Sequence, residues 1–206
     1  MTKATAKSNP KSRPYHHGDL RRSLLDTARS MLQEDTGWQF TLREVARRAG
    51  VSHAAPYKHF ADRGALLAEI AAAGFQTMEA AMRVAAERNA KSCEATLQAI
   101  ARAVMDFGLA NSGLYRLMYS AEVDKKAYPA LEQAALSSFG VLLAALEQGQ
   151  RAGVLRAGPV RGQAAACWAL VHGLTTLQID GQLTHDKVGS KPVTVALDYL
   201  MDGLKA

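Results

Sequence analysis

Only two cysteines occur in 206 residues, Cys93 and Cys167, and they fit no CxxC or metal-ligand spacing. That excludes a disulfide framework and a thiolate metal site, and the pair reads as reduced, packed thiols. Long apolar runs are missing as well. The longest lies within residues 139–146, far short of the ~20 residues needed to cross a bilayer, so no membrane partner is expected. The basic N-terminus leads into no apolar stretch of the kind a secretory signal carries, and the expected location is the cytoplasm. Strand patterning is also lacking. There is no sustained apolar–polar alternation and no Asn-Gly or Asp-Gly turn between β-branched runs. No acid pair, metal cluster or nucleophile–base set stands out, so neither an enzyme, a cofactor nor a bound metal is expected; the adjacent His16 and His17 are weak as ligands.

The composition is otherwise that of an ordinary globular chain, 48% apolar and 21% charged. The net charge of +6 is unevenly placed: residues 1–63 carry twelve Lys and Arg against six Asp and Glu, whereas residues 64–206 carry thirteen of each. A solubility charge has no reason to be so lopsided, but a surface that meets phosphates does. Residues 1–17, with Lys3, Lys7, Lys11, Arg13 and little apolar content, read as a disordered basic arm.

Helical periodicity then dominates, and an all-α fold of about nine helices is expected. The first helix is read from Asp19 to Asp35, closed by Gly37. A capping box, Thr41-Leu-Arg-Glu44, opens a short second helix to Ala49. Gly50 stops it, and Ser52 caps a third helix read through to Phe60. Longer helices follow over residues 63–89, 92–111, 129–152 and 159–183, with a short one over 113–121 and a last one opened by Ser190 and Pro192. The domain reading is an arm over 1–17, a head over 18–63 and a helical body over 64–206.

The stretch TLREVARRAGVSHAAPYKHF, residues 41–60, has the form of a helix-turn-helix: a capped short helix, a glycine turn and a second short helix. An ordinary corner between two helices is the competing reading, and the co-located basic excess argues against it. Over residues 19–70 the sequence resembles the TetR family of transcriptional regulators, through DLRRSLLDTARSML, TLREVARRAGVS and YKHFADRGALL in that order. The resemblance implies that Ser52, His53, Ala54 and Ala55 face bases, that Tyr57, Lys58 and His59 meet the backbone and groove edge, and that Arg63 contacts phosphate. Thr41, at a helix start whose amides favour phosphate, and Arg43 complete the expected DNA-binding set; Arg47 and Arg48 fit a solvated surface nearly as well. Two residues depart from the family pattern. Pro56 stands inside the recognition helix, where the expected cost is only the first intrahelical bond. Gly64 stands where an acidic residue is common, so a weaker cap on the long helix is expected.

The helix over 159–183 is apolar on more than one side and has to bury both. In the family the final two helices pair with their copies, which puts Leu170, Leu174, Leu177, Gly181, Leu197 and Leu200 in an expected homodimer interface. The segment WALVHGL, residues 168–174, resembles the C-terminal domain of one TetR subgroup. The resemblance further suggests a pocket for a small apolar effector, drawn from Met105, Phe107, Tyr115, Met118, Tyr119, Phe139, Trp168 and His172, although each of these also fits plain core packing. The expected partners are a palindromic double-stranded DNA operator, a second copy of the chain and that effector. The leading function is a homodimeric repressor released by its effector. A regulator governed by a partner protein, and a helical enzyme or interaction module, are the alternatives.

Overall fold

In the computed structural model the described residues are 17–34 and 37–206. The arm read over residues 1–17 lies outside them except for His17, where α1 begins. The elements are α1 (His17–Met31), α2 (Leu42–Arg48), α3 (Arg63–Arg88), α4 (Cys93–Ala110), α5 (Ser112–Tyr119), α6 (Pro129–Arg151), α7 (Val160–Ile179), α8 (His185–Val188) and α9 (Pro192–Leu204). Two 3-10 turns, Pro56–Lys58 and Lys125–Ala127, complete the set. The described residues form no named strand, only an isolated bridge between Leu155 and Lys205.

The helix starts follow the caps written in the sequence. Thr41 Oγ1 accepts from the Glu44 amide at 3.2 Å while the Thr41 amide donates to Glu44 Oε2 at 2.6 Å, which closes the box and holds the Glu44 carboxyl below its ordinary pKa. Ser92 Oγ accepts from the Ala95 amide to start α4. The long helix α3 is well capped, contrary to expectation. Asp62, rather than residue 64, supplies the oxygen, accepting from the Ala65 amide at 2.8 Å. Gly64 is small for another reason: a Cβ there would sit 2.6 Å from the Tyr128 hydroxyl.

The third helix differs most from the sequence reading. No α-helix forms over residues 52–60; Ala55 N–H bonds back to Ser52 as a turn, and a single 3-10 turn follows. Pro56 explains this. It has no N–H to give the Ser52 carbonyl, and its ring crowds that oxygen, so the α-pattern fails in its first turn. One α-type bond, Phe60 N–H to Pro56 O at 2.9 Å, is recovered at the far end. The four-residue α8 had no periodic signal strong enough to mark it.

In the body, α3 packs against α4, α5 and α6, and α7 closes over α4 and α6. Although α6 is long and apolar enough to pass for a membrane span by composition, it buries Leu131, Ala134, Val141 and Leu146 in this bundle. One apolar core runs from Leu24 of α1 through α3 to Leu197 of α9. A smaller one, with Leu97, Leu146, Leu155, Cys167 and Leu204, lies beneath the α6–α7 connection. Head and body touch closely at α5, where a Cβ on Gly113 would overlap the Leu32 carbonyl oxygen and lie 2.7 Å from its carbon.

Candidate DNA-facing surface and candidate ligand cavity

The turn after α2 is built by Gly50 at φ +69°. Gly50 N–H bonds to Arg47 O at 3.2 Å and Val51 N–H to Ala46 O at 3.0 Å, the paired bonds of a Schellman ending. Leu42, Val45 and Ala46 are buried beneath it with Phe40 and Phe60, so the turn has a fixed footing. The chain beyond is presented to solvent: Ser52, His53, Ala54, Tyr57 and Lys58 are exposed. Among the described residues no ion pair engages Arg43, Arg47 or Lys58, whereas Arg48 pairs with Glu34 and Arg21 with Glu69. A region of free cations beside exposed donors suits a polyanion.

Three sequence-expected contacts are placed otherwise. Ala55 is buried at 8% exposure, because the short turn tucks it and Pro56 against the head core; it cannot reach a base edge in this conformation. His59 is half-buried, and its Nε2 is enclosed without a partner, so that nitrogen does not face a groove. Arg63 is already occupied: Nε donates to Phe40 O at 2.8 Å, one terminal nitrogen to Trp38 O and the other to Glu122 Oε1 at 2.6 Å. The pairing holds the Glu122 carboxyl below its ordinary pKa. Arg63 fastens the approach to α2 onto the body instead of awaiting phosphate.

Within the body, a cavity of about 640 Å³ lies between α3, α4, α6, α7 and α9, within the size range of small-molecule sites. Of the expected pocket residues, Tyr119, Phe139, Trp168 and His172 line it. Met105, Phe107, Tyr115 and Met118 do not, being consumed by solid packing. Met118 presses on Gly74, where a Cβ would meet its sulfur at 2.7 Å, and the Tyr115 ring lies over Gly108. The sequence reading missed the α3 wall, Phe75, Met78 and Met82, and missed Lys125. The Met spacing on α3 was a usable signal, since flexible thioethers fill irregular space; a lysine in a connecting turn gave none.

An aromatic group forms one end of the cavity. Tyr119 packs on Phe75 (ring centroids 5.5 Å apart), on His172 (4.6 Å) and on Trp168 (6.3 Å). Behind it, the Tyr115 hydroxyl and His172 Nδ1 are 3.0 Å apart. Burial pushes the Tyr115 phenol up to about 12 and the imidazole down, so a protonated phenol and a neutral ring share this hydrogen bond. The depressed imidazole has a stability consequence. Below about pH 6.5 the unfolded chain binds a proton that the folded ring resists, so folding weakens as pH falls. The melting temperature of the wild type should drop more steeply below that pH than that of His172→Asn, which keeps a hydrogen-bonding group beside Tyr115 without a titrating ring; parallel profiles would refute the depressed imidazole.

Comparison with known proteins is consistent with this geometry. A family model described as bacterial regulatory proteins, tetR family, matches residues 24–70, and one described as tetracyclin repressor-like, C-terminal domain, matches residues 97–204. A solved Rhodococcus sp. RHA1 protein of unknown function is 37% identical, covers 95% of this chain and 100% of its own length, and superposes with a TM-score of 0.82. A putative tetR family transcription regulator from Shewanella sp. PV-4 (18% identity, 91% and 98% of the two chains, TM-score 0.71) shares the fold. So does a TetR family transcriptional regulator from Thermus thermophilus (20% identity, 89% and 99%, TM-score 0.68). No curated protein sequence matches the chain.

Proposed function

Since the chain belongs to the TetR family and is a DNA-binding transcriptional regulator, we propose that it works as a homodimeric repressor that a small molecule in its body cavity releases from a palindromic operator. The observation that carries the DNA reading is the exposed run Ser52, His53, Ala54, Tyr57 and Lys58, set on a glycine turn beside Arg43 and Arg47, which no ion pair engages among the described residues. Lys58 and Arg43 act on phosphates, and Ser52, His53 and Ala54 are the base-facing candidates. Thr41, whose hydroxyl and amide are spent on Glu44, contributes by fixing the helix start.

Two such surfaces read a palindrome when held about 34–36 Å apart, one turn of B-DNA. The dimer face proposed here is narrower than the one expected from sequence. Leu174 and Leu197 are buried in the chain's own core and Leu200 lines the cavity, so they are not available to a partner. Leu177, Gly181, Val195 and Tyr199 are exposed, with Leu170 half-buried between them and the core. A Cβ on Gly173 would meet nothing within 4 Å, which leaves room for a second helix to approach α7 closely. Control by a ligand is supported by the connection between α5 and α6. Its Glu122 holds Arg63 of the head junction, while its Lys125 lines the cavity, so differential binding there can bias the head's position.

Titrating the protein onto the DNA upstream of its own gene tests this. Saturable binding that weakens steeply with salt is expected. Lys58→Ala should weaken binding to all sequences and lower the salt slope by about one, while Tyr57→Ala with Lys58→Ala should abolish retention with the fold intact. Equal affinity for random duplex would remove the operator reading.

A further inference from the structure

We propose that the occupant of the cavity is an amphiphilic carboxylate, its acid held at Lys125 and its aliphatic body lying along α3 and α4 toward α9. This rests on the effector reading above and specifies the chemistry of that ligand. The cavity is chemically polarised. At the α5–α6 end Lys125 lies with Nζ 6.0 Å from the Phe75 ring centre, half-buried, and no carboxylate among the described residues comes within 4.0 Å of it. The nearby acids are otherwise placed: Asp124 Oδ1 accepts from the Lys126 amide at 3.0 Å, and Glu132 sits exposed at the rim. Burial lowers the Lys125 pKa, the sign of a cation that its surroundings do not compensate.

Two further polar side chains, Tyr119 and His172, line this end. The Tyr119 phenol is held protonated by burial, and the His172 ring beside it shares its Nδ1 with the Tyr115 hydroxyl. A phenol donor and an ammonium lining one cavity suit the oxygens of a carboxylate, and would leave a neutral hydrocarbon or a cation with unmet or repelled groups. The opposite end is mainly apolar: Met82, Leu97, Leu142, Cys167 and Leu204 line it, and the two polar side chains there are engaged, Ser138 with the Met82 sulfur and Gln98 with Asp198. Phe75 and Met82 are seven positions apart on α3, so the two ends are separated by about 10 Å along that helix. A chain-like body reaches from one to the other, whereas a compact anion would leave the apolar end empty.

The test uses the full chain without DNA, with decanoate, decan-1-ol and decyltrimethylammonium as probes in calorimetric titrations. Decanoate should bind about tenfold or more tighter than the alcohol, the scale of one charge-assisted hydrogen bond, and the ammonium should bind weakest. Lys125→Met should remove that preference and leave the alcohol unchanged, while Lys125→Arg should keep it. Equal binding of acid and alcohol, preference for the cation, an indifferent Lys125→Met, or no binding of any probe overturns the proposal. The DNA titration is separate, so a chain that still binds its upstream DNA while ignoring decanoate fails on ligand class alone.

Discussion

Gly113→Ala should lower the melting temperature by roughly 6 °C. Helix propensity points the other way. Gly113 is in the first turn of α5, and alanine in a helix is favoured over glycine by up to about 1 kcal/mol. The deciding fact is what lies in the Cβ direction. A methyl group would overlap the Leu32 carbonyl oxygen, and the contacting atoms are backbone, which cannot rotate away as a side chain could. Leu32 is itself held, its amide bonding to Ala28 O at 3.2 Å and its side chain fully buried. Relief therefore requires α5 to move away from the end of α1, that is, the body from the head. Overpacking of this kind costs about 1–3 kcal/mol or more, and at about 2–4 °C per kcal/mol for a chain of this size the loss outweighs the propensity gain. Gly140→Ala is the control, since a Cβ there meets nothing within 4 Å; it should be neutral or stabilising. A Gly113→Ala protein that melts at or above the wild type would show that head and body are not in register as described.

Arg63→Met should be comparably damaging, by about 2–3 kcal/mol. The substitution deletes the guanidinium bonds to Phe40 O, Trp38 O and Glu122 and leaves two partly buried carbonyls without a donor. Bonds to a charged group are each worth about 1.5–3 kcal/mol, but the side chain is 30% exposed and the Glu122 pair faces water, so the sum is discounted. Urea unfolding measures the loss. Arg63→Lys separates this role from phosphate binding. Lysine keeps the charge but not the fork, so it should recover little stability. If instead lysine restored stability and DNA binding together, the charge alone would matter and the junction role would be wrong.

Much of the architecture was legible because it is written in local signals. The capping box at Thr41, Ser92 before α4, and Pro129 at the start of α6 each fix an end by satisfying or tolerating free amides. The recognition segment was misread because its signals conflict. Ser52 offers a cap, but Pro56 removes the bond that the cap would begin. The cap on α3 is not legible at Gly64, because the oxygen comes from Asp62, two residues earlier.

The cavity was legible only in part, since a residue that lines space and one that fills it can be the same type. Tyr115 and Tyr119 are one helical turn apart on α5, yet the first packs on Gly108 and the second faces the cavity. That difference depends on which helix lies opposite, and helix order in space is not a periodic property. The dimer stripe failed likewise for Leu174 and Leu197: a helix apolar on two sides does not say which side meets its own body.

The end of α9 has a practical bearing on handling the protein. Arg156 N–H bonds to Leu204 O at 2.9 Å and Ala206 N–H to Val154 O at 3.2 Å, so residues 204–206 are stitched to the α6–α7 loop beside Leu204, a wall of the cavity. An affinity tag fused after Ala206 would tug on that stitch, and trimming the final three residues would open the chamber from below. Reagents for ligand screening are better made with the handle at the other terminus.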